Sequence, residues 1–310
     1  RSASSNLWRL EELGIAAKVK LVPLDLLEFS NIQRVIETTR PDEIYNLAAQ
    51  SYVAASFEQP IYTADVDALG ALRVLEAIRL VKPDTRFYQA STSEMFGKTV
   101  TAPQNEQTPF YPRSPYGASK LFAHWATVNY REAYGLHASS GILFNHEGPL
   151  RGMDFVTRKI TAGLACIKHG RQEPVELGNL ESRRDWGFAG DYVRGMYQML
   201  QLESGGEYVL ATGQTHSIQQ FVECAATAAG FDMEWSGEAE QTRATDRRTG
   251  NCIVRVNPAF YRPSEVDALQ GDAGKARRDL GWAPEVDFEA LVELMIKADM
   301  NRAASGVPLA

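Results

Sequence analysis

The amino-acid sequence predicts an α/β fold, a doubly wound parallel sheet followed by a smaller C-terminal α/β unit. Three observations lead there. Short β-rich runs alternate with helical patterns through the first half of the chain, as in βαβ units. The runs are nearly continuous in apolar residues, as expected of strands covered on both faces. Beyond Phe144 the alternation loosens, and Gly148-Pro149, Gly152, Gly170, Pro174 and Gly178 punctuate it.

In order, the first half is expected to form a strand over Val19–Asp25, a helix over Asn31–Thr39, a strand over Glu43–Ala48, a helix over Ala64–Leu80 and a strand over Thr85–Ser91. A helix over Ser114–Tyr134 then leads into a strand over His137–Phe144. The second half is expected to hold helices at Phe155–Lys168, Asp191–Leu202, Ile218–Ala229 and Phe288–Ala303, with a strand at Glu207–Ala211. The domain boundary is placed near Gly148–Gly152, giving domains of 1–150 and 151–310.

A chain of 310 residues, 44% hydrophobic and 23% charged, has the composition of a soluble globular protein. No apolar run approaches the roughly 20 residues of a membrane span, and the N-terminal residues lack the order of a secretory signal, so a cytoplasmic protein is expected. A net charge of −7 argues against nonspecific nucleic-acid binding, which depends on neutralising phosphates. Cys166, Cys224 and Cys252 are odd in number and widely spaced; they fit neither a disulfide framework nor a zinc site and are expected to be buried thiols. An anionic small molecule would need local arginines, of which Arg183-Arg184, Arg247-Arg248 and Arg262 are candidates, although charged pairs mostly coat surfaces.

Thr92, Ser93 and Glu94 follow the apolar run ending at Ser91, and Tyr116 and Lys120 form Y-x-x-x-K on the next helix. Four residues apart, Tyr116 and Lys120 share a helix face. A cation beside the phenol favours the phenolate, bringing a poor base toward the working pH. Such a couple takes a proton from a hydroxyl as hydride leaves the same carbon. Glu94 adds a second base, which a simple alcohol dehydrogenase or epimerase does not need, and together they point to dehydration. The end of a strand is where open α/β sheets place their chemistry.

One element is missing from the pattern. A dinucleotide-binding fold normally opens with a strand, a glycine-rich turn and a helix. This chain begins Arg1-Ser2-Ala3-Ser4-Ser5 and reaches what reads as a third strand at Val19, so a preceding segment of the protein is expected.

The strings Tyr45-Asn46-Leu47-Ala48-Ala49-Gln50-Ser51, Thr63-Ala64-Asp65-Val66-Asp67, Phe87-Tyr88-Gln89-Ala90-Ser91-Thr92-Ser93-Glu94, Phe110-Tyr111-Pro112-Arg113-Ser114-Pro115-Tyr116, Gly141-Ile142-Leu143-Phe144-Asn145-His146-Glu147 and Arg184-Asp185-Trp186-Gly187 carry a resemblance. With them the chain resembles the extended short-chain dehydrogenase/reductases and, within these, the GDP-mannose 4,6-dehydratase family. The resemblance implies a Rossmann-like NADP-binding domain over 1–150, and a mainly substrate-binding domain over 151–310 with segments returning to the first. It implies NADP kept bound through the cycle: Arg1 and Ser2 by the 2′-phosphate, Asp25 and Leu26 by the adenine, and Leu47, Ala48, Ala49, Gln50 and Ser51 along the nicotinamide half. Tyr62, Lys120, His146 and Arg151 match further cofactor positions. Thr92, Glu94, Tyr116 and Lys120 match the catalytic positions. Ser93, Glu94, Asn145, Lys159, Arg184, Arg262 and Glu265 match positions that hold GDP-mannose, with Glu265 suited to the guanine edge. A homo-oligomer is implied, with the loop at Arg1 and Ser2 taking part.

Gly148 departs from the family pattern, in which Ser usually follows Asn-His-Glu, so a hydroxyl is lost there. Two other readings stay open at this level: a sugar-nucleotide epimerase, reductase or other dehydratase on the same fold, and a non-catalytic truncated chain.

Overall fold

The computed structural model describes residues 7–99, 101–170, 173–261 and 268–306. The chain forms two units that interleave along the sequence, one of Arg1–Ser91, Ser114–Ser140 and Met199–Gly206, the other of Thr92–Arg113, Gly141–Gln198 and Glu207–Ala310.

The first unit begins with α1 (Trp8–Glu12) and α2 (Phe29–Thr39); Glu28 caps the latter by accepting the Ser30 N–H at 3.1 Å. β1 (Glu43–Asn46), α3 (Val53–Glu58), α4 (Pro60–Ala64) and α5 (Gly70–Val81) follow. Next come β2 (Arg86–Thr92), α6 (Pro115–Tyr134) and β3 (Ala138–Leu143). β1 and β2 run parallel with Glu43 opposite Arg86, and β3 follows β2 in the sheet. The start and stop of α6 are written into its sequence. Ser114 Oγ accepts the Gly117 N–H at 3.0 Å, Pro115 occupies the first turn, where an N–H has no intrahelical partner, and Gly135 closes the helix at φ 68°. Ile32 and Ile36 of α2 and Leu75 and Ile78 of α5 pack with Phe87, Leu136 and Ala138 into one core. That core fixes the strand ends from which the candidate residues project.

Two expectations for this unit are corrected. Val19–Asp25 is not a strand: among the described residues β1 ends the sheet, no ladder reaches this segment, and Val19, Leu21, Val22 and Leu24 are exposed. A strand needs a partner for its backbone groups, whatever its composition. Ala64–Leu80 is not one regular helix either, because α4 and α5 are joined by a π turn, Asp65–Leu69. The wider turn shifts the helical phase and leaves Asp67 2% exposed.

In the second unit, β4 (Asn145–Glu147), α7 (Val156–Lys168), β5 (Val175–Leu177), β6 (Arg183–Arg184), β7 (Trp186–Phe188) and α8 (Ala189–Gln201) are followed by β8 (Glu207–Leu210), β9 (His216–Ser217) and α9 (Ile218–Ala228). Then come β10 (Met233–Ser236), β11 (Arg243–Asp246), β12 (Cys252–Val256), β13 (Ala268–Leu269), α10 (Gly274–Leu280) and α11 (Phe288–Ser305). β4 pairs in parallel with β7, β6 lies between β13 and β9, and β10, β11, β12 and β5 form a sheet in that order. Helices α7, α9 and α11 bury Ile160, Leu164, Phe221, Val222, Leu291 and Met295 in a common core with Trp186 and Val254. The three cysteines form no disulfide among the described residues and are half-buried, not buried. Among the described residues no helix is long and apolar enough to cross a membrane, and no group of His, Cys, Asp and Glu is arranged to hold a metal.

Candidate active site

In the first unit the site is built on α6. Tyr116 and Lys120 are 8% and 3% exposed, and the Lys120 ammonium lies 5.9 Å from the Tyr116 ring centroid. Lys120 Nζ donates to the Ala90 carbonyl of β2 at 3.1 Å, which fixes the side chain against the strand end. Burial lowers the Lys120 pKa, and the charge of Asp67 opposes that shift. Beyond β1 the chain is open: Leu47, Ala48 and Ser51 are exposed, and Ala49 and Gln50 are half-buried. Gln50 ties this segment down, its N–H donating to Asp67 Oδ1 at 2.7 Å and its side-chain amide to the Tyr52 carbonyl at 3.1 Å. Tyr62 on α4 is 46% exposed. Asp25 and Leu26 are half-buried; Asp25 Oδ1 accepts the Leu27 N–H at 3.1 Å, and the Leu26 carbonyl accepts from Arg73 at 3.1 Å.

In the second unit, Thr92 ends β2 and its hydroxyl accepts the Glu94 N–H at 3.2 Å, capping the turn Ser93–Met95. Glu94 is half-buried between fully buried neighbours: Ser93 is 3% exposed, and Met95 and Phe96 are 0%. Phe96 stacks on Phe110 at 5.1 Å, and the Met95 carbonyl accepts the Tyr111 N–H at 3.0 Å. The carboxylate therefore projects from a short turn anchored on both sides.

Asn145 and His146 lie on β4, opposite Trp186 and Gly187 of β7. His146 Nδ1 donates to the Phe144 carbonyl at 2.9 Å and the ring stacks on Tyr192 at 5.2 Å. Burial lowers its pKa to about 4, so the imidazole is neutral at physiological pH. Arg151 meets Glu147 at 3.1 Å and lies 3.4 Å over the Phe155 ring. Lys159 on α7 lies 3.7 Å over the Phe260 ring; burial lowers its pKa, and Glu176 opposes the shift. Arg184 on β6 is 9% exposed, and its neighbour Asp185 holds the strand by accepting the N–H groups of Thr212, Gly213 and Gly271 at 2.9, 2.9 and 3.2 Å. Arg247 is engaged by Asp232 and Glu234 at 3.4 and 3.0 Å. Arg1, Ser2, Arg262 and Glu265 lie outside the described residues.

Two buried carboxylates were not singled out by residue chemistry. Asp67 follows Asp65 by two residues in a largely apolar helical pattern, so the two acids fall on different faces and only the turn geometry shows which is buried. Asp185 sits in Arg184-Asp185-Trp186-Gly187, where only the fold reveals three backbone donors converging on one side chain.

The sheet with its flanking helices, and a Tyr–Lys couple on the helix that follows β2, define a Rossmann-type α/β protein. Solved structures share that fold. DesIV, a dTDP-glucose 4,6-dehydratase from Streptomyces venezuelae with NAD and TYD bound, superposes with a TM-score of 0.81 over 100% of this chain and 88% of its own, at 21% identity. RMD from Pseudomonas aeruginosa, complexed with NADPH, gives 0.78 over 94% and 95%, at 22% identity. The family model described as GDP-mannose 4,6 dehydratase matches residues 1–295. GDP-mannose 4,6-dehydratase of Sinorhizobium fredii is 53% identical over 97% of this chain and 88% of its own length. The Drosophila melanogaster GDP-mannose 4,6 dehydratase is 51% identical over 97% and 78%. The chain belongs to the GDP-mannose 4,6-dehydratase family.

Proposed function

We propose that the protein is an NADP-dependent hydro-lyase that converts GDP-α-D-mannose to GDP-4-dehydro-6-deoxy-D-mannose and water. The observation that carries this reading is the presence of two separate proton-transfer devices: Tyr116 with buried Lys120 on α6, and Glu94 on the anchored turn after β2. An epimerase or a ketone reductase needs only the first.

The residues present suit a nicotinamide dinucleotide. Leu47, Ala48 and Ser51 stand exposed beyond the carboxyl end of β1, where open α/β sheets receive nucleotides. Lys120 offers a buried ammonium that donates to the Ala90 carbonyl. Asp25 and Leu26 are assigned to the adenine, Leu47, Ala48, Ala49, Gln50, Ser51, Tyr62, His146 and Arg151 to the rest, and Arg1 and Ser2 to the 2′-phosphate. NADP rather than NAD rests on that last pair and on the NADPH in the Pseudomonas aeruginosa structure. Bound NADP supplies an acceptor for the C4 hydride and gives that hydride back at C6.

The chain's own residues manage the protons. Tyr116, its phenolate favoured by Lys120, takes the proton of the C4 hydroxyl, and Thr92 holds the same oxygen. The resulting 4-ketone acidifies the C5 hydrogen. Glu94 removes it and passes the proton to the departing C6 hydroxyl, which leaves as water. C5 is reprotonated as C6 is reduced, so the proton taken by Tyr116 balances the one C5 regains. Ser93, Asn145, Lys159, Arg184 and Arg262 orient the sugar diphosphate, and Glu265 reads the guanine edge. Residues 1–150 supply mainly the NADP side and 151–310 mainly the substrate side.

Exposed Phe122 and Trp125 on α6 support a homo-oligomer, to be checked by light scattering. Cysteines that form no disulfide among the described residues suit a reducing cytoplasm. The activity test is incubation with GDP-mannose, with and without added NADP⁺, followed by mass spectrometry of the nucleotide sugar. Loss of one water without net NADPH is expected. An isomer of unchanged mass would favour an epimerase.

A further inference from the structure

Asp67 has no role in the reading above, yet it is one of the most confined charges in the first unit. It lies in the π turn between α4 and α5 and is 2% exposed. Its Oδ1 accepts the Gln50 N–H at 2.7 Å, while its Oδ2 is buried without a hydrogen-bond partner. Lys120, 3% exposed, is the opposite charge on α6, the helix that packs against this π turn, and its ammonium, with three donors, gives one of them to Ala90 at 3.1 Å. A charge buried alone is far more costly than one facing its opposite, and a buried amine tends to shed its proton.

We propose that Asp67 is the counter-ion of Lys120, a positioning residue that keeps the ammonium charged beside Tyr116 and thereby sets the strength of that base. This rests on the reading of Tyr116 as the base for the C4 hydroxyl. The second acid of the turn, Asp65, is bound by Arg73 at 2.7 Å, and the Leu26 carbonyl also accepts from Arg73. The Gln50 segment brings no charge. From α4 comes Tyr62, and from α6 come Tyr116 and His124, the latter engaged with Ser91 at 3.1 Å. The shifts agree in direction: burial raises the Asp67 pKa to about 6 against the pull of Lys120, and burial lowers that of Lys120 against the pull of Asp67. Asp67 is therefore ionised, and able to hold the lysine charged, above about pH 6.

Asp67→Asn tests this, because the amide keeps an oxygen for the Gln50 N–H and removes only the charge. At pH 7.5, kcat should fall by about tenfold or more, with KM for GDP-mannose nearly unchanged. The alkaline limb of the kcat profile should move down by about one pH unit as Lys120 loses its proton more easily. Added to Lys120→Met, the same substitution should cause no further loss, since its effect passes through the lysine. A parent-like profile in Asp67→Asn would overturn the proposal and leave Asp67 as an acceptor for Gln50 alone. A Tyr116→Phe variant that stays active would instead sink the reading of the base itself. The parent protein provides a second readout independent of turnover: with ¹³Cε-labelled lysine, the resonance missing from Lys120→Met should show an inflection near pH 6 as Asp67 ionises, and a flat trace there also overturns the proposal.

Discussion

Asp299 on α11 offers a direct test of how the second unit holds its site residues. It is 0% exposed and accepts from Arg158 Nε at 2.9 Å, Thr161 Oγ1 at 2.7 Å and Arg302 at 2.7 Å. Arg158, also 0% exposed, donates in turn to the carbonyls of Pro149 and Arg151 at 2.9 Å each. Asp299→Ala leaves Arg158 charged in the core beside Arg302. Removing one partner of a buried ion pair costs about 3–5 kcal/mol, because the remaining charge stays desolvated. At roughly 2–3 °C per kcal/mol for a chain of this size, the melting temperature should fall by roughly 6–15 °C. The lost stability should be visible in urea denaturation followed by far-UV circular dichroism, with an unchanged slope if only the folded state is weakened. Because Arg158 also ties the backbone bearing Arg151, NADP affinity should drop at temperatures where the variant is still folded. A variant within about 1 kcal/mol of the parent would refute the assignment of this triad as a buried, interdependent network.

Other expectations follow from single residues. His146 has a folded-state pKa of about 4, below its unfolded value, so its contribution is present above pH 6.5 and is lost as pH falls toward 4. The loss over that window is at most about 3 kcal/mol, less what water screens at the open edge of the ring, and His146→Gln should flatten it in urea midpoints measured at pH 7 and pH 5. Gly97 has φ 51°, and a Cβ there would stand 1.9 Å from the Tyr111 carbonyl oxygen. Gly97→Ala should cost on the order of 3 kcal/mol and shift the turn bearing Glu94, so turnover should fall more than NADP binding, as separate kcat and titration measurements would show.

The parts of this protein legible in its sequence are those whose partners are close along the chain. Tyr116 and Lys120 share a face because α6 is regular, and Ser114, Pro115 and Gly135 mark its ends. Thr92 and Glu94 were readable because an apolar run stops just before them. The Arg158–Asp299 pair spans 141 residues, and nothing local in either segment names the other. The π turn was hidden for a different reason. Widening one helical turn changes no residue type, so Asp67 reads as one more acid on a helix until the phase of its neighbours is known. Val19–Asp25 shows the converse, a β-rich composition that forms no ladder because, among the described residues, no strand lies beside it.

The central claim is that Tyr116 with Lys120 takes the C4 hydroxyl proton during oxidation of C4 while Glu94 drives the loss of water, and Glu94→Gln separates the two most directly. The amide keeps the shape of the turn and cannot act as a base. With GDP-mannose and NADP⁺, the variant should form the 4-keto sugar nucleotide and retain NADPH on the enzyme, with no loss of water by mass spectrometry. Elimination at a rate near that of the parent, or loss of C4 oxidation together with elimination, would contradict the division of labour.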